Sequence, residues 1–304
     1  MLPVALLCAL ALPADPLAQS TQPPQFTDAR LVLWEPGVKN AYPRWSKDRK
    51  RILYQSDRGG KWRLFVMSAD GSAPQALTSG DANDNFPDWS PDNEHVAFVS
   101  DREGNEEVYV MAMDGSGLVN LSSDAGRDIH PYWAPDGKHL LFNSTRAVGR
   151  FQVYEVAADG TGLRRLVESP DDDTCARIAP KGDCFVYLAN LAVGRDDVML
   201  RKRDGTEAKP VTADTERDGW PTWTPDGRVV YSSARSGTFS LYVRDLGSGQ
   251  DARLTTPEAP WADGRATVSA DGKQIVFNRQ SGETIGIFVA DLPEAGPRKP
   301  AKQG

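Results

Sequence analysis

The sequence predicts an all-β fold: a six-bladed β-propeller of four-stranded antiparallel blades, with its ring closed by an N-terminal strand. Three observations carry this expectation. A turn motif recurs six times at even spacing, each copy is followed by apolar runs of strand length, and the last copy lacks a strand that the first residues of the chain can supply.

The turn motif reads Pro43-Arg44-Trp45-Ser46, Pro87-Asp88-Trp89-Ser90-Pro91-Asp92, Pro131-Tyr132-Trp133-Ala134-Pro135-Asp136-Gly137, Ile178-Ala179-Pro180-Lys181-Gly182, Pro221-Thr222-Trp223-Thr224-Pro225-Asp226-Gly227 and Val268-Ser269-Ala270-Asp271-Gly272. Its anchors, at 45, 89, 133, 178, 223 and 268, lie 44 or 45 residues apart. Proline presets φ at the second turn position, Asp suits the third and Gly the exit, so each motif is a tight type I turn between two strands. The strand after it carries an aromatic at its third position in every copy: Tyr54, Phe98, Phe142, Tyr187, Tyr231 and Phe277. A third strand follows, and Asp70-Gly71, Asp114-Gly115, Asp159-Gly160 and Asp204-Gly205 turn it into a short fourth. The β-branched and aromatic runs lack the 3.6-residue period of a helical solenoid.

Five copies carry the fourth strand and the sixth does not. Ala29-Arg30-Leu31-Val32 resembles Ala252-Arg253-Leu254-Thr255, so the N-terminal strand is expected to complete the last blade. Closure hides sheet edges and ties the two ends of the chain together. The Trp and aromatic columns are then packing between blades.

Composition agrees with this. Hydrophobic residues at 39% suffice for a core, and 27 Gly with 22 Pro demand frequent turns. A net charge of −7 argues against a nucleic-acid partner. Residues 1–25 read as a signal peptide and polar linker: an apolar run through Leu12, too short to span a bilayer, then Pro13, Pro16 and a polar stretch, with cleavage after Ala14 or Ala18. The expected organisation is a leader over 1–25, the propeller over 26–293 and a disordered tail over 294–304. The protein is expected to be periplasmic or secreted, not transmembrane, and a monomer.

The Pro-x-Trp-Ser-Pro-Asp-Gly turns, the Ser56-Asp57-Arg58 and Ser100-Asp101-Arg102 segments, and the Asp-Gly hairpins resemble the WD40-like repeats of the TolB β-propeller family. The resemblance covers residues 29–293 and matches the propeller half of TolB, without the α/β domain that precedes it there. Similar repeats form the propeller halves of prolyl-oligopeptidase-like and tricorn-like peptidases. The resemblance implies a fold more than an activity.

Two rings of equivalent positions are candidates for function. Five residues before each anchor stand Asn40, Asp84, Asp128, Asp173, Asp218 and Asp263. Either each Asp caps its own turn through a backbone hydrogen bond, or the five carboxylates hold a cation, with Ca²⁺ the candidate. No cofactor is otherwise expected. Two residues further on stand Tyr42, Phe86, His130, Cys175, Trp220 and Arg265, which vary while the frame does not. Variation at equivalent repeat positions is where a ligand would be read, so Tyr42, Phe86, His130, Trp220 and Arg265 are the expected binding residues. Arg58, Arg102, Arg146, Arg235 and Arg279 should reach the same face, to bond neighbouring blades or meet a ligand.

Catalytic constellations are scarce. There is no Gly-x-Ser-x-Gly elbow, His-Glu-x-x-His pair or phosphate loop, and of His95, His130 and His139 only His130 points to the expected mouth. No catalytic residue is assigned. The favoured reading is a scaffold that binds a protein or peptide through one mouth of the channel. The rival is a metal-assisted hydrolase or lyase acting there on a glycan or peptide. Cys175 and Cys184 flank the fourth turn. With that turn centred on Pro180-Lys181 they are diagonal neighbours about 7–8 Å apart, marginal for a disulfide, and both the bridged and the free form stay open.

Overall fold

The computed structural model describes residues 26–191, 195–213 and 216–294. The leader expected over 1–25 lies outside the described residues, as does the expected tail except for Glu294. Among the described residues the chain forms six four-stranded antiparallel sheets, and no helix is long and apolar enough to cross a membrane.

Blade 2 shows the unit. Asp84–Trp89 pairs with His95–Ser100, that strand with Glu107–Ala112, and that in turn with the two-residue strand Val119–Asn120. The other first strands are Asn40–Trp45, Asp128–Trp133, Asp172–Ile178, Asp218–Trp223 and Ala262–Val268. Neighbouring first strands touch in sequence order, and the first touches the last, so the six ring a central channel.

The turns form as the motif predicts. The amide of Gly137 donates to Ala134 O, and those of Gly182, Gly227 and Gly272 make the same bond to Ala179, Thr224 and Ser269. The fourth strands are shorter than the apolar pattern suggests. Thr78, Ser122, Thr212 and Thr255 end the pattern, and their hydroxyls accept the amides of Leu64, Val108, Val198 and Leu241 at 2.9–3.1 Å. A side chain thus replaces one rung of the ladder.

The core is divided into six apolar clusters, each straddling two adjacent blades. Trp89 packs against Leu53 and Leu64 of the previous blade, and its Nε1 donates to Arg44 O at 3.2 Å. Trp223 makes the same bond to Arg177 O at 2.8 Å. The tryptophan column therefore joins blades, because one sheet face alone cannot bury its apolar side chains.

The N-terminal strand closes the ring as expected. Arg30–Leu33 pairs with Thr284–Asp291, Arg30 opposite Val289 and Leu31 opposite Phe288. A Cβ on Gly286 would lie 2.7 Å from the Trp34 ring, so glycine there lets the strand close. Ahead of the strand, Phe26 sits edge-on to Trp261 and Phe288. Asp28 forks onto Arg279 at 2.9 and 3.0 Å, and Asp263 takes the same guanidinium at 2.7 and 2.8 Å. The Arg279 side chain is 0% exposed.

Cys175 and Cys184 are both free thiols, which settles the question of a bridge. The expected register is also corrected. Ile178 faces Phe185 and Thr174 faces Leu188, with a bulge at Cys175 and Ala176 between them. The bulge turns Cys175 into the channel, while Cys184 packs against the cluster between blades 4 and 5.

Candidate functional site

Every first strand breaks its ladder at the same place. The register shifts between Ala41 and Arg44, Asn85 and Asp88, Ile129 and Tyr132, Thr174 and Arg177, Gly219 and Thr222, and Gly264 and Thr267. The first bulged residue is Tyr42, Phe86, His130, Cys175, Trp220 or Arg265, each with φ between 46° and 57°. Non-glycine residues seldom adopt this left-handed conformation, and a side chain costs free energy to hold there. Six repeats of it re-aim six side chains, as bulges do beside binding sites. Three neighbouring blades hold the bulges by side-chain amides. Asn278, Gln55 and Asn143 accept the amides of Tyr42, Phe86 and Cys175 at 2.7–3.0 Å.

The structure brings all of the expected binding residues together. Tyr42 meets Phe86 edge-to-face at 4.8 Å, and Phe86 meets His130 at 4.4 Å. His130 Nε2 lies 3.5 Å from the Tyr42 hydroxyl, and its Nδ1 lies 3.8 Å from Cys175 Sγ. Arg265 lies over the rings of both Tyr42, at 4.9 Å, and Trp220, at 4.5 Å. A Cβ on Gly264 would press on the Trp220 ring at 3.0 Å, so glycine gives that ring its seat. Tyr42, Phe86, His130, Trp220 and Arg265 are half-buried, and Cys175 is buried.

The acidic ring does not cap its turns through backbone hydrogen bonds as the first of the two expectations had it. Asp84, Asp128, Asp173, Asp218 and Asp263 are buried, and all but Asp173 turn back on their own blades. Asp84 pairs with Arg102 at 3.0 Å, Asp128 with Arg146 at 2.8 Å, Asp218 with Arg235 at 3.7 Å and Asp263 with Arg279. Asn40 accepts from Arg58 at 3.3 Å. The expected backbone caps give way to side-chain donors, because the arginine two residues past the second strand folds over its own blade. Its guanidinium rests on the aromatics of the second and third strands, as Arg146 does on Phe142 and Tyr154. These arginines bond chiefly within their own blades, while Arg146 also donates to Ser122 O of the preceding blade at 3.0 Å and Arg58 pairs with Glu35 at 2.8 Å. Arg279 departs from the pattern: it stands directly opposite Asp263 in the ladder and also binds Asp28. Among the described residues, no three His, Cys, Asp or Glu side chains gather where they could hold a metal ion.

Blade 4 has no such arginine. Asp173 accepts from Ser169 Oγ at 2.5 Å, and burial pushes its carboxyl up to about 6. Burial likewise raises the Asp128 and Asp263 carboxyls, against the pull of their hydrogen-bonding partners.

A third ring, below the bulges, was missed. Arg44, Asp88, Tyr132, Arg177, Thr222 and Thr267 follow the bulged residues by two positions and vary as those do, so the same signal would have found them. Arg44 pairs with Asp88 at 3.1 Å and donates to Thr267 Oγ1 at 2.9 Å, and Arg177 lies over the Tyr132 ring at 4.7 Å. Burial, with Arg177 nearby, pushes Arg44 down to about 10, and burial raises the Asp88 carboxyl. Burial, reinforced by Arg177, Arg265 and Arg44, pushes the His130 imidazole down to about 3. It is neutral at any physiological pH and stands in a positive field.

Fold and site define a six-bladed propeller whose channel is plugged at one end by non-repeating side chains. Residues 82–228 match the model of the TolB beta propeller domain. That match covers just under half of the chain, and with the six blades it makes the chain similar to TolB-type β-propellers. Among solved structures it is similar to a putative TolB from Agrobacterium tumefaciens, with a TM-score of 0.67 and 20% identity over 87% of this chain and 94% of that one. It is also similar to TolB from Acinetobacter baumannii, with a TM-score of 0.63 and 20% identity over 72% of this chain, and it spans 55% of that protein. An oligogalacturonate lyase in complex with manganese gives a TM-score of 0.57 and 15% identity over 86% of this chain and 90% of that one. At these identities the likeness is one of fold.

Proposed function

We propose that the protein is an exported TolB-type propeller that binds a protein or peptide partner through the channel mouth bearing Tyr42, Phe86, His130, Trp220 and Arg265. One observation carries the reading: six left-handed bulges present six different side chains at one mouth, on blades whose turns, hairpins and packing columns repeat. Strain repeated where the sequence diverges has no use in packing, since the blades already join through their own clusters. Aromatic rings beside an arginine are the residue types that dominate protein-binding hot spots. The metal-assisted rival, drawn from the acidic ring, Ca²⁺ and His130, has less support. Four of its five carboxylates face arginines, and His130 stands among three more.

The test is photo-crosslinking in cells of the native source, with the reactive residue placed at Phe86 or, on the opposite face, at Lys138. Capture of a defined partner from Phe86 alone supports the reading. Equal capture from both positions, or none from either, overturns it. The mature protein should be found outside the cytoplasm and begin after Ala14 or Ala18.

A further inference from the structure

We infer that the mouth contains a carboxylate-binding subsite, in which Arg265 receives an acidic group of a peptide partner while Arg177 and Arg44 supply positive potential from below. This rests on the binding reading above and names the chemistry that enters first.

The argument begins with unbalanced charge. Arg44, Arg177 and Arg265 converge on the same end of the channel, close enough for all three to act on His130. Asp88 is the one carboxylate paired with any of them among the described residues. Arg177 is 7% exposed, and its one hydrogen bond is to the carbonyl of Ala176 at 2.9 Å. Among the described residues the Arg265 guanidinium meets no hydrogen-bond acceptor, and its Nε is buried without one. A guanidinium buried without a counter-ion is costly, so an anion that reaches it relieves that cost. The acidic ring cannot supply that anion, because its carboxylates are held within the blades.

The shape narrows the ligand. Arg265 is held between the Tyr42 and Trp220 rings, which fixes its planar fork before anything binds. A planar carboxylate matches such a fork with two parallel hydrogen bonds. Between Arg265, Trp220, Tyr42 and the deeper Arg44 and Arg177 lies a gap of about 10 Å³, on the order of one water molecule, so an anion is met at the mouth by Arg265 and not drawn down to Arg44 and Arg177. The faces of Tyr42 and Trp220 are occupied by the guanidinium, which leaves no flat platform there for a sugar. Phe86, half-buried beside them, offers apolar contact to the residue next to the acid.

The experiment is thermal unfolding of the full chain at fixed ionic strength with four probes. N-acetylglutamic acid α-amide carries only a side-chain carboxylate, N-acetylphenylalanine only a terminal one, N-acetylglutamine α-amide neither, and galacturonate is the sugar acid. The expected result is a rise in Tm with one or both of the first two, which also tells side chain from terminus, and none with the neutral amide. Arg265→Gln and Arg177→Gln should each weaken the response at least about tenfold. Arg177→Gln should also raise the ligand-free Tm, which loss of a merely structural arginine would not do. If Arg177→Gln does not fold, the half-buried Arg265→Gln decides alone. Equal responses to acid and amide, responses kept in the variants, or a response to galacturonate only would overturn the inference. A partner captured from Phe86 without any carboxylate response removes the subsite and leaves the binding reading. A carboxylate response without a captured partner does the reverse.

Discussion

Replacing Asp173 by Asn should stabilise the protein, although Asp173 belongs to a buried ring whose other carboxylates hold their blades together. Asp84, Asp128, Asp218 and Asp263 each face an arginine, whereas Asp173 is 1% exposed and accepts from the Ser169 hydroxyl. Burial raises its carboxyl from an ordinary 3.8 to about 6. A raised carboxyl in the folded state binds a proton that the unfolded chain has already released, so stability falls as pH rises through that window. Below about pH 3 both states are protonated and the group costs nothing. Above about pH 7 the full difference, about 3 kcal/mol, works against folding. Asn keeps an acceptor for Ser169 and removes the charge. The variant should match the parent in urea unfolding near pH 3 and exceed it by about 3 kcal/mol at pH 8, or by roughly 6–12 °C in Tm. Equal stability at pH 8, or a gain of the same size at both pH values, would refute the reasoning.

Asp128→Ala should act in the opposite direction, because it removes the acceptor that holds Arg146 at 2.8 Å. A loss of about 1.5–3 kcal/mol at pH 7 is expected, read by the same unfolding experiment. Asp28→Ala should loosen the closure of the ring: Arg279 keeps Asp263 but loses two charged hydrogen bonds, at a cost of about 2–3 kcal/mol. Hydrogen exchange should then quicken first in Thr284–Asp291, the strand that the N-terminal segment covers.

What the sequence determined by itself is the blade. Its turns, hairpins and strand pattern are local, set by glycine, proline and alternation within some 44 residues, and six even copies leave a ring as the arrangement that buries them all. The closing strand was legible because Ala29–Val32 repeats a pattern seen elsewhere in the chain. The bulged ring was legible too, since Tyr42, Phe86, His130, Trp220 and Arg265 differ while the proline and tryptophan that follow four of them recur.

The sign of the field at the mouth was decided only by the tertiary structure. Along the chain the five aspartates read as an acidic rim. Folded, four face arginines of their own blades, and what remains uncompensated is positive. Arg44, Arg177 and Arg265 come from blades 1, 4 and 6, separated by 88 residues or more, and no local pattern joins them. The free state of Cys175 has the same origin: a bulge moves the register and turns the thiol into the channel. Backbone patterns are short-range and survive in the sequence, whereas the balance of charge in a channel is a sum over side chains that only ring closure brings together.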